Sequence, residues 1–265
     1  MERNAKAISQ QGRLEEIRTR LARAGEVSVA ALAKEFAVSE MTVRRDVAVL
    51  EEQGEVVRTH GGAASARRLT FEFTFRSRQH ERVEQKRAIA AKAAESVRDG
   101  QAIILDTGTT TLAIARALRD RRDLRVITTS LAIVSELQFS RGIRTILLGG
   151  FLREGSPDLH GPLTEQNLSG FSADQAFMGA DAIDADGAVY TDDLSVVNLD
   201  RTMAKVSGRM TIVADSSKLV RRAMCRILRA GEYGRLITDW EADEQMAKKL
   251  AKCGVEVIRA PRSRC

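Results

Sequence analysis

Val38-Ser39-Glu40-Met41-Thr42-Val43-Arg44-Arg45-Asp46-Val47, running on through Leu50 and Gly54 to Arg58-Thr59-His60-Gly61-Gly62, is the stretch on which the reading of this 265-residue chain turns. Ser39 stands where a helix N-cap belongs, its hydroxyl free to accept from first-turn amides. Val43, Val47 and Leu50 recur at i, i+4 and i+7, an apolar stripe on a helix that ends near Gly54. The other face offers Glu40, Thr42, Arg44 and Arg45 near the helix start. Short polar and forked cationic side chains there suit a helix whose first turns enter a DNA major groove. In that groove Arg pairs with guanine edges or clamps phosphates. After Gly54, Val56 to Gly62 reads as a strand and a glycine turn, a small wing over the backbone. The ordinary alternative is an amphipathic helix with a solvated charged face.

The segment upstream weighs against that alternative. Ser28 caps a second short helix, whose stripe is Val29, Leu32, Ala33 and Phe36 and which stops at an Ala37-Val38 turn. Two short helices joined by a tight turn, the second opening with polar and basic residues, make a helix-turn-helix over about residues 27–46. Leu14, Ile17 and Leu21 supply a third helix, ended at Ala24-Gly25. Three small helices and a wing can share one core, over residues 10–65. Ser39, Thr42, Arg44 and Arg45 on the helix, with Arg58 and His60 on the wing, are the candidate DNA contacts.

The runs Val38–Val47, Leu50-Glu51-Glu52-Gln53-Gly54 and His60-Gly61-Gly62-Ala63 resemble the N-terminal domain of DeoR-family bacterial transcription regulators. What the resemblance implies is a winged helix-turn-helix joined to a larger α/β effector-sensing domain related to sugar-phosphate isomerases.

Length and composition are compatible with this. The chain has room for one small and one medium domain, each with a core. Charged residues make up 29% and apolar residues 43%, with a net charge of +6. The excess charge permits a polyanionic partner. About 12 basic and 10 acidic side chains fall between Met1 and Arg68, so DNA contact depends on placement rather than on bulk charge. No long apolar run and no hydrophobic leader are present, which predicts a cytoplasmic protein without a membrane partner. Cys225, Cys253 and Cys265 lack metal-like spacing, and His60, His80 and His160 are scattered. Neither a metal, a cofactor nor a catalytic constellation is expected.

Ala63 to Arg68 is small, polar and basic and reads as a linker, while Leu69, Phe71, Phe73 and Phe75 alternate like a short extended segment. Residues 66–80 together form the expected connection. Ile89, Ala93 and Val97 then mark a helix. From Gln101 short apolar runs alternate with helical ones: strands at Ile103 to Leu105, Val126-Ile127, Ile146 to Leu148, Gln175 to Met178, Met210 to Ala214, Leu236-Ile237 and Val255 to Ile258, with a helix from Glu241 to Cys253. That rhythm predicts a mostly parallel, helix-covered sheet over residues 81–260.

In such sheets ligands bind at the carboxyl ends of strands. Asp106-Thr107-Gly108-Thr109-Thr110-Thr111 offers a glycine for close approach, hydroxyls and the free amides of the next helix, a way to hold phosphate. Thr128-Thr129-Ser130 is a second hydroxyl cluster, and Lys218 could add charge. Taken singly these are ordinary helix caps and a surface lysine; on successive β-α units they point to a phosphorylated sugar or polyol. Asp184-Ala185-Asp186-Gly187 mimics part of a calcium loop but lacks the first ligand and the closing Glu, and reads as a turn.

The family resemblance continues through Leu105–Thr111, Leu148-Gly149-Gly150, Asp174–Gly179, Asp215-Ser216-Ser217-Lys218 and Ile237-Thr238-Asp239, covering about residues 10–260. It implies that Asp106, Gly108, Thr109 and Thr110 hold a sugar phosphate with Lys218 close by. The chain departs from the family pattern at Thr129, where Asn is usual, and at Val196 and Asp200, where Glu and Lys are usual. The expectation is a sequence-specific DNA-binding regulator, a repressor of a carbohydrate-metabolism operon relieved by a phosphorylated sugar. It would act as a homo-oligomer, dimer or tetramer, assembled through the C-terminal domain. The competing expectation is an enzyme resembling a sugar-phosphate isomerase with an attached DNA-binding domain. A nucleoid-type DNA binder would leave the second domain idle.

Overall fold

The structure, a computed structural model, describes residues 9–53, 55–59, 61–65, 75, 77–153, 155–219 and 221–262. By its internal contacts the chain divides into two compact units, Met1–Ser77 and Arg78–Cys265. Gly54, His60, Arg76 and the expected extended run Leu69 to Phe73 lie outside the described residues. Phe75 is described and is helical rather than extended. The residues that follow it, Ser77 to His80, are also helical and include no β-branched side chain that would favour a strand.

In the first unit α1 (Gln10–Ala24), α2 (Val29–Glu35) and α3 (Glu40–Glu52) pack against a small antiparallel sheet. Its strands β1 (Glu26–Ser28), β2 (Val56–Thr59) and β3 (Gly62–Ser65) lie in the order β1-β3-β2. Each helix opens on a serine whose hydroxyl accepts a first-turn amide: Ser9 from Gly12, Ser28 from Ala31 and Ser39 from Thr42. Gly25 closes α1 in the left-handed region at φ 81°, donating its N–H to Leu21 O at 2.8 Å. Ala37 adopts φ 53° between α2 and α3, and this one residue makes the tight turn. Ile17, Leu21, Val29, Leu32, Ala33, Phe36, Val43, Val47, Leu50, Val56 and Ala63 form one buried cluster, so the three sequence stripes meet. In β3, Gly62 pairs with Ser28, and a Cβ there would overlap the Val27 carbonyl oxygen, so the wing requires glycine at this position.

The second unit begins with α4 (Val83–Glu95) and is built on seven parallel strands. In chain order they are β4 (Ala102–Leu105), β5 (Leu124–Thr128), β6 (Ile143–Leu147), β9 (Gln175–Met178), β12 (Met210–Val213), β14 (Arg235–Asp239) and β15 (Glu256–Ala260). Their order across the sheet is β15-β14-β12-β9-β4-β5-β6. Helices α5 (Thr109–Ala117), α6 (Leu131–Leu137), α7 (Pro162–Ser169), α8 (Val197–Val206) and α9 (Glu244–Lys252) fall between strands. Strands covered on both faces read as continuous apolar runs, which is why Ile103-Ile104-Leu105 and Gln175–Met178 were legible.

Two smaller sheets add to this, of which the sequence marked only the turn at Asp184 between two strands. β7 (Phe151–Leu152) and β8 (Leu159–His160) form a hairpin, and β10 (Ala182–Ile183), β11 (Val189–Thr191) and β13 (Cys225–Leu228) form an antiparallel sheet. Strands of two to four residues are too short to show a period. The β10–β11 connection is the turn expected at Asp184. Its carboxylate accepts the amides of Asp186 and Ala188, both at 3.0 Å, and the Tyr190 hydroxyl at 2.9 Å. Among the described residues no helix is long and apolar enough to cross a membrane.

Candidate functional site

On the first unit, the start of α3 presents an exposed polar face. Arg44 is 59% exposed at its side chain and lies 3.6 Å from Glu40, a loose pair one turn apart. Arg45 is exposed and has no ion pair or hydrogen bond among the described residues. Ser39 and Thr42 engage each other, with hydroxyls 2.9 Å apart and the Thr42 amide donating to Ser39 Oγ at 3.1 Å. Their first task is therefore to start the helix. Met41, 60% exposed, extends the same face with an apolar side chain. Arg58 on the wing pairs with Glu51 of α3 at 2.8 Å, so its guanidinium is tethered while about half its surface stays open. Arg44 and Arg58 both line a shallow cleft between α3 and the wing, with Thr59 and Gly61. His60 lies outside the described residues.

The third charged residue of the Arg44-Arg45-Asp46 run behaves differently. Asp46 is buried and held by Arg13 of α1, Nε to Oδ2 at 2.7 Å and Nη2 to Oδ1 at 3.2 Å. A parallel clasp joins Arg18 of α1 to Glu55 at 2.7 and 2.8 Å. Spacing within α3 offers no sign of the first pair, because the partner lies 33 residues upstream.

On the second unit, strand order reverses between β4 and β9: β5 and β6 lie on one side of β4, and β9, β12, β14 and β15 on the other. A crevice at the carboxyl ends of the two strands flanking such a reversal is where open α/β sheets take ligands. Asp106 sits there. Its Oδ2 accepts the Gly179 amide at 3.0 Å, and its own amide donates to Phe177 O at 3.1 Å, so it ties the end of β4 to the end of β9. Burial pushes its carboxyl above the usual range, against the pull of the Thr107 and Gly179 amides. Gly108 then caps α5 without any side-chain acceptor, which leaves the first-turn amides unclaimed by a side chain. The Thr111 hydroxyl lies 2.6 Å from Asp106 O and 2.8 Å from Gly108 O and locks the turn. Thr109 is half-buried and Thr110 buried.

The other expected contacts take different places. Thr128 is buried with Oγ1 accepting the Ser130 amide at 3.1 Å, and the Thr129 carbonyl accepts the Leu159 amide at 3.0 Å. The Thr128 hydroxyl thus shapes the turn after β5, and the Thr129 backbone joins that turn to the β7–β8 hairpin. Lys218 lies in a short turn after β12, on the same edge but two strands from β4, roughly 10 Å by sheet spacing. Asp106, Gly108, Thr109 and Thr110 are brought together; Lys218 is not in their immediate group.

Arg153, which the sequence did not mark, and Asp200, marked only as a departure from the family pattern, also belong to this edge. Arg153 follows β7 and is clamped by Asp158 at 2.6 and 3.0 Å and by Asp193 at 2.5 Å. Asp200, in the first turn of α8, is buried with a carboxyl pushed well above the usual range by burial and then by Asp106. It therefore points inward. The segment at the start of the second unit is fastened to the same edge. Arg78 reaches Asp181 at 3.2 Å, and Arg82 reaches Asp215 at 3.0 Å, Ser216 Oγ at 2.8 Å and Glu241 at 2.5 Å. Lys86 is buried and donates to the carbonyls of Arg78 and Glu81, fixing that segment from beneath.

Comparison with known proteins agrees with both units. A family model described as a DeoR-like helix-turn-helix domain matches residues 13–68, and one described as a DeoR C terminal sensor domain matches residues 81–240. The chain belongs to the DeoR family. Similar DeoR-family proteins include "Transcriptional repressor AccR" of Agrobacterium fabrum, 35% identical over 80% of this chain and 83% of its own length. "HTH-type transcriptional repressor CsqR" of Escherichia coli K12 is 32% identical over 90% of this chain and 91% of its own. "Glycerol-3-phosphate regulon repressor" of the same organism is 35% identical over 76% and 79% respectively. Among solved structures, ribose 5-phosphate isomerase from Plasmodium falciparum superposes with a TM-score of 0.37 at 20% identity, over 51% of this chain and 52% of its own. No residue role is carried over from it. As a DeoR-family member the protein is a DNA-binding transcription regulator and not an enzyme, with α2 and α3 as its helix-turn-helix.

Proposed function

We propose that this DeoR-family regulator represses an operon of carbohydrate metabolism and leaves its operator when a phosphorylated sugar or polyol binds at the carboxyl edge of the parallel sheet. The Asp106–Thr110 turn is the observation that carries the effector reading. It combines an uncapped helix N-terminus, a glycine and three threonines at the strand-order reversal. Amides that no side chain claims, at the positive end of a helix, favour an anion. Thr128, Thr129 and Lys218 would complete the walls from neighbouring strands. A relative that regulates the glycerol-3-phosphate regulon supports a small organic phosphate as the ligand class.

For the operator, Arg44 and Arg45 are assigned to bases or phosphates, Ser39 and Thr42 to fixing the register, and Arg58 and His60 to the backbone beside the wing. The working domain limits are 10–65 for DNA binding, 66–80 for the connection and 81–260 for sensing and assembly. A homo-oligomer, dimer or tetramer, would present paired reading helices to repeated half-sites. Exposed Phe151, Leu152 and Leu163, on the β7–β8 hairpin and at the start of α7, are the kind of apolar surface such an assembly covers. A regulator of this kind works in the cytoplasm.

The test is fluorescence anisotropy of labelled DNA from upstream of the gene and its neighbours, at fixed salt against scrambled competitor, with and without a panel of sugar phosphates. Specific binding released by one compound is the expected result. Binding with no preference over scrambled DNA from every tested region would remove the reading.

A further inference from the structure

Asp200 is a nearly buried carboxyl at the strand edge. It is 5% exposed, and among the described residues its carboxyl has no hydrogen bond or ion pair. Its electrostatic neighbours are Asp106, Arg153, Asp181 and Asp193. These come from the chain after β4, β7, β9 and β11 respectively, so Asp200 lies near where the four segments converge. The cation among them is already spent, because Arg153 grips Asp158 with two bonds and Asp193 with a third. Asp181 is likewise engaged, with Arg78, the Thr191 hydroxyl and the Asp192 amide. What remains is a negative potential around a nearly buried carboxyl that no described protein group hydrogen-bonds. Such groups are rare in folded proteins unless something completes them.

To complete the ionised form of Asp200, a ligand must supply a donor. A ligand hydroxyl would give Asp200 one hydrogen bond and leave the like-charge repulsion between Asp106 and Asp200 in place. An ammonium group answers both, since it donates up to three hydrogen bonds and its charge offsets the two carboxylates. Among the described residues no cluster of three or more Asp, Glu, His or Cys could hold a metal ion, which leaves an organic cation as the better fit. The uncapped amides after Gly108 supply the complementary, anion-favouring end of the same crevice.

We propose that this crevice selects an effector with a protonated amine beside its phosphate, an amino-sugar phosphate, and that Asp200 is the specificity-determining residue that receives the amine. The proposal rests on the reading of this edge as the effector site and narrows the ligand class. It also gives Asp200 a role that a structural carboxyl would not have, discrimination between two sugars differing only in one substituent.

Isothermal titration calorimetry on the full-length protein near neutral pH tests it, with glucosamine 6-phosphate and glucose 6-phosphate as probes. The amine-bearing probe should bind at least about tenfold more tightly. Asp200→Asn should abolish that preference while leaving glucose 6-phosphate within about twofold of its parent affinity, an effect below 0.5 kcal/mol at the tenfold-per-1.4 kcal/mol rate. Asp200→Ser serves in its place if the Asn variant fails to fold. Equal binding of both probes by the parent, or a variant that weakens both alike, overturns the amine assignment and leaves the effector site standing. Binding of neither probe, together with no binding of inorganic phosphate, overturns the effector-site reading and the proposal with it.

Discussion

Arg13 and Asp46 form a two-pronged ion pair between the first and third helices, with the Asp46 side chain 1% exposed. The run Arg44-Arg45-Asp46 thus splits its work, two cations pointing out and one carboxylate pointing in. Asp46→Ala would remove both bonds by which this carboxylate ties α3 to Arg13 of α1 and should cost about 3 kcal/mol. Urea denaturation of the parent and variant measures it, and Arg13→Met combined with Asp46→Leu should recover much of the loss. A loss below about 1 kcal/mol for Asp46→Ala, the scale of an exposed pair, would show that the clasp is unimportant to the fold.

Arg44→Ala and Arg45→Ala should behave in the opposite way. Both side chains are exposed, so stability should stay within about 0.5 kcal/mol of the parent. Operator affinity should fall sharply, and for each residue that meets a phosphate the slope of log K against log salt should drop by about 1. Anisotropy titrations at several salt concentrations read both quantities. A double variant that grips the operator as tightly as the parent would show that another surface meets DNA.

Asp106→Ala separates sensing from DNA binding. The Gly179 amide loses its acceptor, at a cost of about 1–3 kcal/mol confined to the switch point between β4 and β9. Operator binding should persist and effector-driven release should be blunted, measured in the same anisotropy assay. Simultaneous loss of both would count against placing the effector there.

The raised carboxyls predict a pH dependence with a definite sign. Asp200 and Asp106 both titrate above an unfolded aspartate, so the folded state holds protons that the unfolded state has released. Stability from these groups is full below the unfolded aspartate pKa near 3.9 and is lost as pH rises through the folded values. Each tenfold difference in proton affinity is worth about 1.4 kcal/mol. Asp200→Asn should therefore raise the Tm of the ligand-free protein at neutral and mildly alkaline pH and flatten its slope. A variant whose melting curve tracks the parent at every pH would mean that Asp200 is solvated in the native state.

Much of this architecture was legible because it depends on short-range rules. Serine caps, stripes at helical spacing and the Gly25 and Ala37 turns delimit the first unit, and each acts over a few residues. The parallel strands announced themselves as apolar runs bounded by turn residues. What was illegible depends on partners far along the chain. Asp46 looks like one more surface charge until Arg13 is known, and the second arm of the Arg153 clamp, Asp193, lies 40 residues on. Asp200 was visible as a departure from the family pattern, but not its direction. The helix gives a partial cue, since Val197 and Met203, three residues either side, are buried on the same face. Lys218 was grouped with Asp106 because both follow strands; the strand order, which no local pattern encodes, sets them two strands apart.

The position of β4 in the middle of its sheet also has a bearing on time. One of its neighbours, β9, arrives late, and the Asp106–Gly179 bond that seals the junction spans 73 residues. The core of the first unit is complete by Ala63. Translation at about 5–20 residues per second puts roughly 6–23 s between those two points. Contacts that close early form quickly, and those that bridge long stretches wait for their partner to be made. During each round of synthesis there is thus an interval in which the nascent chain has the parts that read an operator and still lacks the strand that completes its receiver.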